Sequence, residues 1–326
     1  MDSASADSVS TDDLTDTDAA GAGVGGEVAE EILGLLRLEP IEVDIFRGQA
    51  LPGHARRLYG GQVAAQALAA AGNTVTGNTV TGNTGTGNTG TGARPHSLHA
   101  YFLRPGDSSA PVVFQVDRLH EGRTFRRRRV TAIQHGEPIL CLESSFTTDG
   151  SDATDYAPPP KVPVPEECEP YDPAAHFARQ GRLSAWRVFE ARVAPFGHAD
   201  GSVPPPARPT AADMWFRFLP DPASPGIMPE TVITYLSDLT LAATALRPTL
   251  RHPAGRTEVT GLTSLDHSVW FHNQPDLSDW LLYAKIAPAS GPVRGLTAGQ
   301  FFRRDGVLVA SVAQEYLAHS HSPGQA

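Results

Sequence analysis

Two stretches of this chain, about half its length apart, follow one pattern. RRDGVLVASVAQEY, from Arg303 to Tyr316, mirrors IQHGEPILCLESSF, from Ile133 to Phe146. Setting Gly306 on Gly136 puts Gln314 opposite Ser144 and Tyr316 opposite Phe146. The helix-like runs of the two halves overlay as well, with Asp238 opposite Gln62. This self-similarity at roughly half the chain suggests a duplicated unit. Its 326 residues suit two domains or one doubled unit.

Periodicity outlines the unit. In the first half, Tyr59 to Ala71 reads as an Ala-rich helix opened by Gly60 and Gly61. Strand-like runs follow at Ser97 to Arg104, Val112 to Leu119, Thr124 to Gln134 and Pro138 to Thr147. In the second half, Leu183 to Val193 and Met214 to Phe218 read as strands, and Thr231 to Leu246 as a helix. Ser264 to Phe271, Trp280 to Pro288, Gly295 to Arg303 and Val307 to Leu317 read as strands. By itself this supports a duplicated α+β class.

Residues 1–26 carry no apolar period and are expected to be a disordered acidic tail. Val28, Ile32, Leu35 and Leu36 recur at helical spacing just after it. The first unit spans 27–148. Inside it, 73–92 reads NTVTG, NTVTG, NTGTG, NTGTG, a flexible insert too poor in apolar residues to build a core. Residues 149–180, rich in Pro, Asp and Glu, read as a linker. The second unit spans 181–320, and 321–326 is a short tail.

The formal net charge is −10, but residues 1–27 hold seven acids and no Lys or Arg. The remainder has 29 acids against 26 bases, so nucleic-acid binding is not indicated. There is no apolar run of about 18 residues for a membrane span. Two cysteines, neither in a CxxC pair, argue against a structural zinc site and fit the cytoplasm. The N-terminus lacks the pattern of a secretory signal, and HSPGQA at the other end is no peroxisomal address.

Eight segments, in order, resemble the acyl-CoA thioesterase II family, the double-hotdog thioesterases. They are FRGQ (Phe46 to Gln49), YGGQVAAQAL (Tyr59 to Leu68), HSLHAYFLRPGD (His96 to Asp107), RRVTAIQHGEPI (Arg128 to Ile139), SDL (Ser237 to Leu239), SLDHSVWFH (Ser264 to His272), WLLY (Trp280 to Tyr283) and DGVLVASVAQE (Asp305 to Glu315). The acidic tail and the pentad insert depart from the family but lie outside these motifs. The resemblance implies a double hotdog: two tandem units, each a central helix wrapped by an antiparallel sheet. It also implies hydrolysis of fatty acyl-CoA to free acid and CoA with no cofactor or metal, and a homo-oligomer. Matched motif by motif, the implied catalytic set is Asp238, Ser264 and Gln314, which together orient a water. Ser264 stands where some relatives carry Thr.

These residue types suit thioester hydrolysis. The thioester carbonyl is electrophilic and a thiolate leaves readily, so an oriented water and a stabilised oxyanion are the main requirements. Asp238, within an apolar helical run, is costly to bury unless hydrogen-bonded, and is the expected general base. Ser264 and Gln314 can each donate and accept to hold the same water. A routine strand hydroxyl and an edge amide are the bland alternatives for these two. Backbone amides near Gly61 and Gln62 are expected to face the thioester oxygen, since a helix start offers free N–H groups. The alternative there is that the glycines only permit close packing.

No Gly-x-Ser-x-Gly elbow supports a serine-hydrolase triad. Asp266 and His267 are neighbours in a strand-like run, so they point to opposite faces and do not form a dyad. His99 and His267 are expected to be structural, with His267 beside the site. Arg126 to Arg129 could bind a CoA phosphate, but on a strand the run splits between two faces. Two other functions stay open: a non-catalytic acyl-CoA-binding module, and a hotdog enoyl-CoA hydratase. The hydratase would need an Asp and a His close together, and the Asp238 run carries no His within a turn.

Overall fold

The computed structural model describes residues 33–50, 57–75, 92–150, 152–172, 186, 189–195, 209–220, 228–249, 251–255 and 259–320. The acidic tail, the C-terminal tail, most of the pentad insert and the Val28 and Ile32 positions lie outside them.

The first half comprises β1 (Glu39–Glu42), β2 (Ile45–Gly48), α1 (Gly60–Val75), β3 (Arg94–Phe102), β4 (Val112–Glu121), β5 (Phe125–Gln134) and β6 (Glu137–Thr147). The linker region ends in β7 (Glu169–Pro170). The second half comprises β8 (Phe189–Val193), β9 (Met214–Phe218), α2 (Pro229–Ser237), β10 (Val259–Ser264), β11 (Asp266–Phe271), β12 (Leu281–Ser290), β13 (Arg294–Arg303) and β14 (Leu308–Ser320).

The described strands join one antiparallel sheet in the order β1-β2-β4-β5-β6-β3-β11-β14-β13-β12-β9-β8-β7, with β10 also on β14. The two halves meet where β3 pairs with β11, Tyr101 opposite Asp266 and Ser97 opposite Trp270. The matching hairpins seen in the sequence are β5–β6 and β13–β14. The first turns through His135 (φ 51°) and Gly136 (φ 79°), the second through Gly306 (φ 90°). Two successive positive φ values match the twist of a tight hairpin.

α1 is buried on nearly all sides, as a central helix must be. It packs against β2 to β6 and against α2. It runs four residues past Ala71, so residues 73–75 of the expected flexible insert are its last helical residues. Arg128 explains the extension. Almost fully buried, it donates to Thr74 Oγ1 (2.6 Å) and to the Thr74 carbonyl (3.2 Å), and pairs with Glu121, closing the helix C-terminus. Its neighbours Arg127 and Arg129 point outward, which is the expected split of the arginine run.

α2 departs further from expectation. The run from Thr231 to Leu246 is not one helix. α2 ends at Ser237, Asp238 is its C-cap, and Ala242–Leu246 is a separate 3-10 turn. Hydroxyls account for the break. Thr234 donates back to the Glu230 carbonyl, and Ser237 Oγ lies 2.9 Å from the Thr234 carbonyl, a local competition that weakens helix propagation. Two tyrosines from outside take terminal carbonyls: Tyr59 Oη bonds Tyr235 O and Tyr283 Oη bonds Ser237 O, each at 2.6 Å. With those acceptors satisfied, the chain can leave the helix at Asp238. The expected strand at Ser264 to Phe271 is likewise divided. Ser264 ends β10, and β11 starts at Asp266.

The linker follows the second half closely. Pro163 O accepts from the Trp215 indole (3.0 Å), Glu166 pairs with Arg304, and β7 adds an edge strand to β8.

Candidate active site

Asp238, Ser264 and Gln314 come together beside the start of α1. The C-cap position of Asp238 aims its carboxylate at the N-terminus of α1, which runs antiparallel to α2. Asp238 Oδ2 accepts the Gly61 N–H at 2.9 Å, a contact between residues 177 apart in the chain. Tyr59, at the position before α1, has no capping oxygen to offer its first turn. The carboxylate from α2 supplies it and sits at the positive end of the helix dipole.

Ser264 Oγ lies 3.3 Å from Asp238 Oδ1. A carboxylate only accepts, so the serine hydroxyl donates. Gln314 Nε2 in turn donates to Ser264 Oγ at 2.6 Å. Gln314 is on the inward face of β14, in phase with buried Leu308, Ala310 and Val312, and is fully buried. The amide is thus an interior group and not an edge group in water. Its backbone carbonyl accepts from Thr297 Oγ1 (3.1 Å) on β13.

The amides of Gly61 and Gln62 each have a protein acceptor. The Gly61 N–H is spent on Asp238, and the Gln62 N–H bonds Tyr59 O at 3.2 Å within the first turn. The Gln62 side chain donates to Gln49 O (3.1 Å), as does Gln66 (2.9 Å), which ties the FRGQ segment to α1. The glycine at 61 has a steric cause. A Cβ there would lie 2.5 Å from Tyr59 Oη and 2.6 Å from the Tyr235 carbonyl. Only glycine lets α1 approach α2 closely enough for its N–H to reach Asp238. Gly61→Ala should therefore lose about 1–3 kcal/mol of stability. Urea unfolding checks this, with a lower midpoint and an unchanged slope as the expected result.

His267, expected beside the site, is bonded into it. It is fully buried on β11, its Nδ1 2.6 Å from Gln314 Oε1 and its Nε2 2.6 Å from Ser237 Oγ. Burial pushes its pKa down, against the opposing pull of Asp238, the Gln314 contact and Asp266. Asp266 points to the other face and accepts the Glu315 N–H (2.6 Å), so the two neighbours form no dyad. A histidine is thus close to Asp238, brought there by the sheet. With both ring nitrogens committed to protein partners, it is not placed to work on a substrate as a hydratase would require. One signal for its burial was present in the sequence: His267 is in phase with Val269, two residues on. His99 lies on the opposite, outer face, bonded to Ser268 (3.1 Å) and edge-on to Trp270.

The equivalent place in the first half is filled differently. Ser144, the counterpart of Gln314, pairs across the sheet with Arg128, while Gln314 pairs with Thr297. The Arg128 guanidinium holds the end of α1 there. Tyr283 and Phe301 stack 4.0 Å apart in the buried core, whereas Trp270 is partly exposed. Among the described residues no group of three or more His, Cys, Asp or Glu could hold a metal. Among them also, no helix is long and apolar enough to cross a membrane.

Comparison with known proteins gives concordant results. A family model described as acyl-CoA thioesterase matches residues 211–317, and one described as the acyl-CoA thioesterase N-terminal domain matches 50–148. The chain is 33% identical to acyl-coenzyme A thioesterase 8 of Homo sapiens, over 86% of each chain. It is 31% identical to acyl-CoA thioesterase 2 of Haemophilus influenzae, over 89% of this chain and 98% of that one. Among solved structures, the acyl-CoA thioesterase II TesB2 of Mycobacterium marinum superimposes with a TM-score of 0.67 at 34% identity, covering 89% of this chain and 99% of the other. A hot dog protein from Alicyclobacillus acidocaldarius, 19% identical with a TM-score of 0.64, shares the fold. The architecture is a double hotdog.

Proposed function

The chain belongs to the acyl-CoA thioesterase family and hydrolyses acyl-CoA thioesters, and we propose that Asp238, Ser264 and Gln314 carry the reaction by holding one water. The observation that supports this is the continuous Gln314–Ser264–Asp238 network at the start of α1. Asp238 takes a proton from the water as its oxygen bonds to the thioester carbon. The carbonyl electron pair moves to oxygen, then returns as the carbon–sulfur bond breaks. CoA leaves as thiolate and takes up the proton held by Asp238, which restores the carboxylate, and the fatty acid is released. The Gly61 N–H holds the carboxylate in place, and Ser264 and Gln314 fix the water's orientation. No cofactor is needed, since CoA is part of the substrate.

Self-association and work in the cytoplasm complete this reading. Tyr101 and Trp270 leave large apolar side chains exposed on the outer sheet face, which supports a second copy as partner. Cys141 and Cys168 are both free thiols, which supports a reducing compartment.

Release of free thiol, followed across acyl-CoA chain lengths, tests the activity, and position 264 tests the site. Ser264→Thr keeps the hydroxyl and is expected to hold kcat within a few-fold. Ser264→Ala removes the link between Gln314 and Asp238 and should lower kcat on the order of 10²-fold. Equal rates for the two variants would contradict the assignment.

A further inference from the structure

The hydrogen bonds behind the site can be followed proton by proton. Asp238 is an obligate acceptor while ionised, so Ser264 gives it its only proton. Ser264 Oγ is then an acceptor toward Gln314, and the amide must present its NH2 group there. The other end of the amide, Oε1, must accept, and its neighbour is His267 Nδ1 at 2.6 Å. Nδ1 must therefore carry a proton. At the far side of the ring, Nε2 meets Ser237 Oγ at 2.6 Å. The imidazole is fully buried, which favours its neutral form, so Nε2 is bare and accepts the Ser237 proton.

From this chain we infer that His267 is a positioning residue. Its Nδ1–H locks the polarity of the Gln314 amide, and the Ser237 hydroxyl, which can donate or accept, meets Nε2 in either charge state of the ring. This deepens the reading given above for Asp238, Ser264 and Gln314, and it rests on that reading.

The lock has a purpose that packing alone does not supply. An amide is nearly symmetric in shape and can turn over. If Gln314 turned its oxygen toward Ser264, the serine proton would be drawn away from Asp238 to Gln314. The carboxylate would lose a donor and the site would hold its water in the wrong orientation. His267 prevents this because a proton on Nδ1 cannot face the NH2 end. Asp238 and Asp266 are the charged groups that act on the ring, both favouring a proton there. Protonation at Nε2 would leave Nδ1–H in place. Ser237 would then turn its own proton to Thr234 O, 2.9 Å away. The polarity of Gln314 is therefore insensitive to the charge of the ring.

Two measurements test the inference. In the wild-type protein with nitrogen-15-labelled histidine, the resonances of His267 are assigned by their loss in His267→Asn. A protonated Nδ1 and a bare Nε2 near neutral pH are expected; a proton on Nε2 with a bare Nδ1 overturns the proposal. The second measurement compares two amide replacements. Asn places its NH2 near the position of Nδ1 and can still donate to Gln314. Gln reaches the position of Nε2 and leaves Gln314 without its donor. His267→Asn is expected to keep kcat within about tenfold of wild type. His267→Gln should lose on the order of 10²-fold in kcat with KM changed by less than about threefold. Equal losses, or the reverse order, would mean that the ring only fills space. The resonances do not depend on turnover. A fully active Asp238→Asn would instead remove the reading of the site itself, whatever the state of the ring.

Discussion

Asp238→Asn lowers kcat on the best acyl-CoA substrate by about 10²–10⁴-fold while the protein keeps its fold. The substitution is nearly isosteric. The Asn carbonyl oxygen can still accept the Gly61 N–H that Asp238 Oδ2 accepts at 2.9 Å, so the packing of α1 on α2 is retained. What is lost is the proton acceptor. The Asn NH2 would also face Ser264 Oγ, where the wild type has an acceptor for the serine proton. The network from Gln314 would then end in two opposed donors. The measurement is steady-state thiol release, together with the thermal midpoint. A variant with normal kcat and an unchanged midpoint would exclude Asp238 as the base.

The second large effect concerns stability and pH. Lys285, on β12, is almost fully buried, with Nζ 2.7 Å from Thr240 Oγ1 and 3.4 Å from Thr210 O. Burial lowers its pKa to about 7, and Arg247 adds to this while Asp213 opposes it. In the unfolded chain the amine holds its proton up to its ordinary value of 10.5. Between those two values the unfolded state binds more protons than the folded one, so stability rises with pH. Lys285→Met removes the titrating group and keeps most of the volume. The variant should be more stable than wild type near pH 7, and that advantage should shrink by about 2–4 kcal/mol as the pH is raised to about 9.5. Urea unfolding of both proteins at several pH values provides the check. Parallel curves across that window would show that the amine is charged in the folded state.

Much of the architecture could be read locally. β5, β6, β13 and β14 were visible because alternate residues on each strand meet the core, and a strand records that in its period of two. The hairpin turns at Gly136 and Gly306 were visible because positive φ favours glycine. The end of α2 was not. The run after Thr231 remains apolar through Leu246, so nothing in its spacing marks a break at Asp238. The break depends on Tyr59 and Tyr283, whose hydroxyls arrive from other elements. The length of α1 was missed for the same reason, since Arg128 on β5 completes its last turn.

The sequence by itself determined the duplication, the central helix and long strands of each half, and the identities of the three polar residues, because each is written in local period or motif. Tertiary structure alone decided what those residues meet. It turned the Gly61 N–H to the Asp238 carboxylate, 177 residues away in the chain, because two helices pack at glycine distance. It also set the imidazole of His267 against Gln314, because β11 and β14 are neighbours in the sheet. A hydrogen bond needs a partner within about 3 Å in the right direction. Residues far apart in the chain acquire that only when their elements have packed.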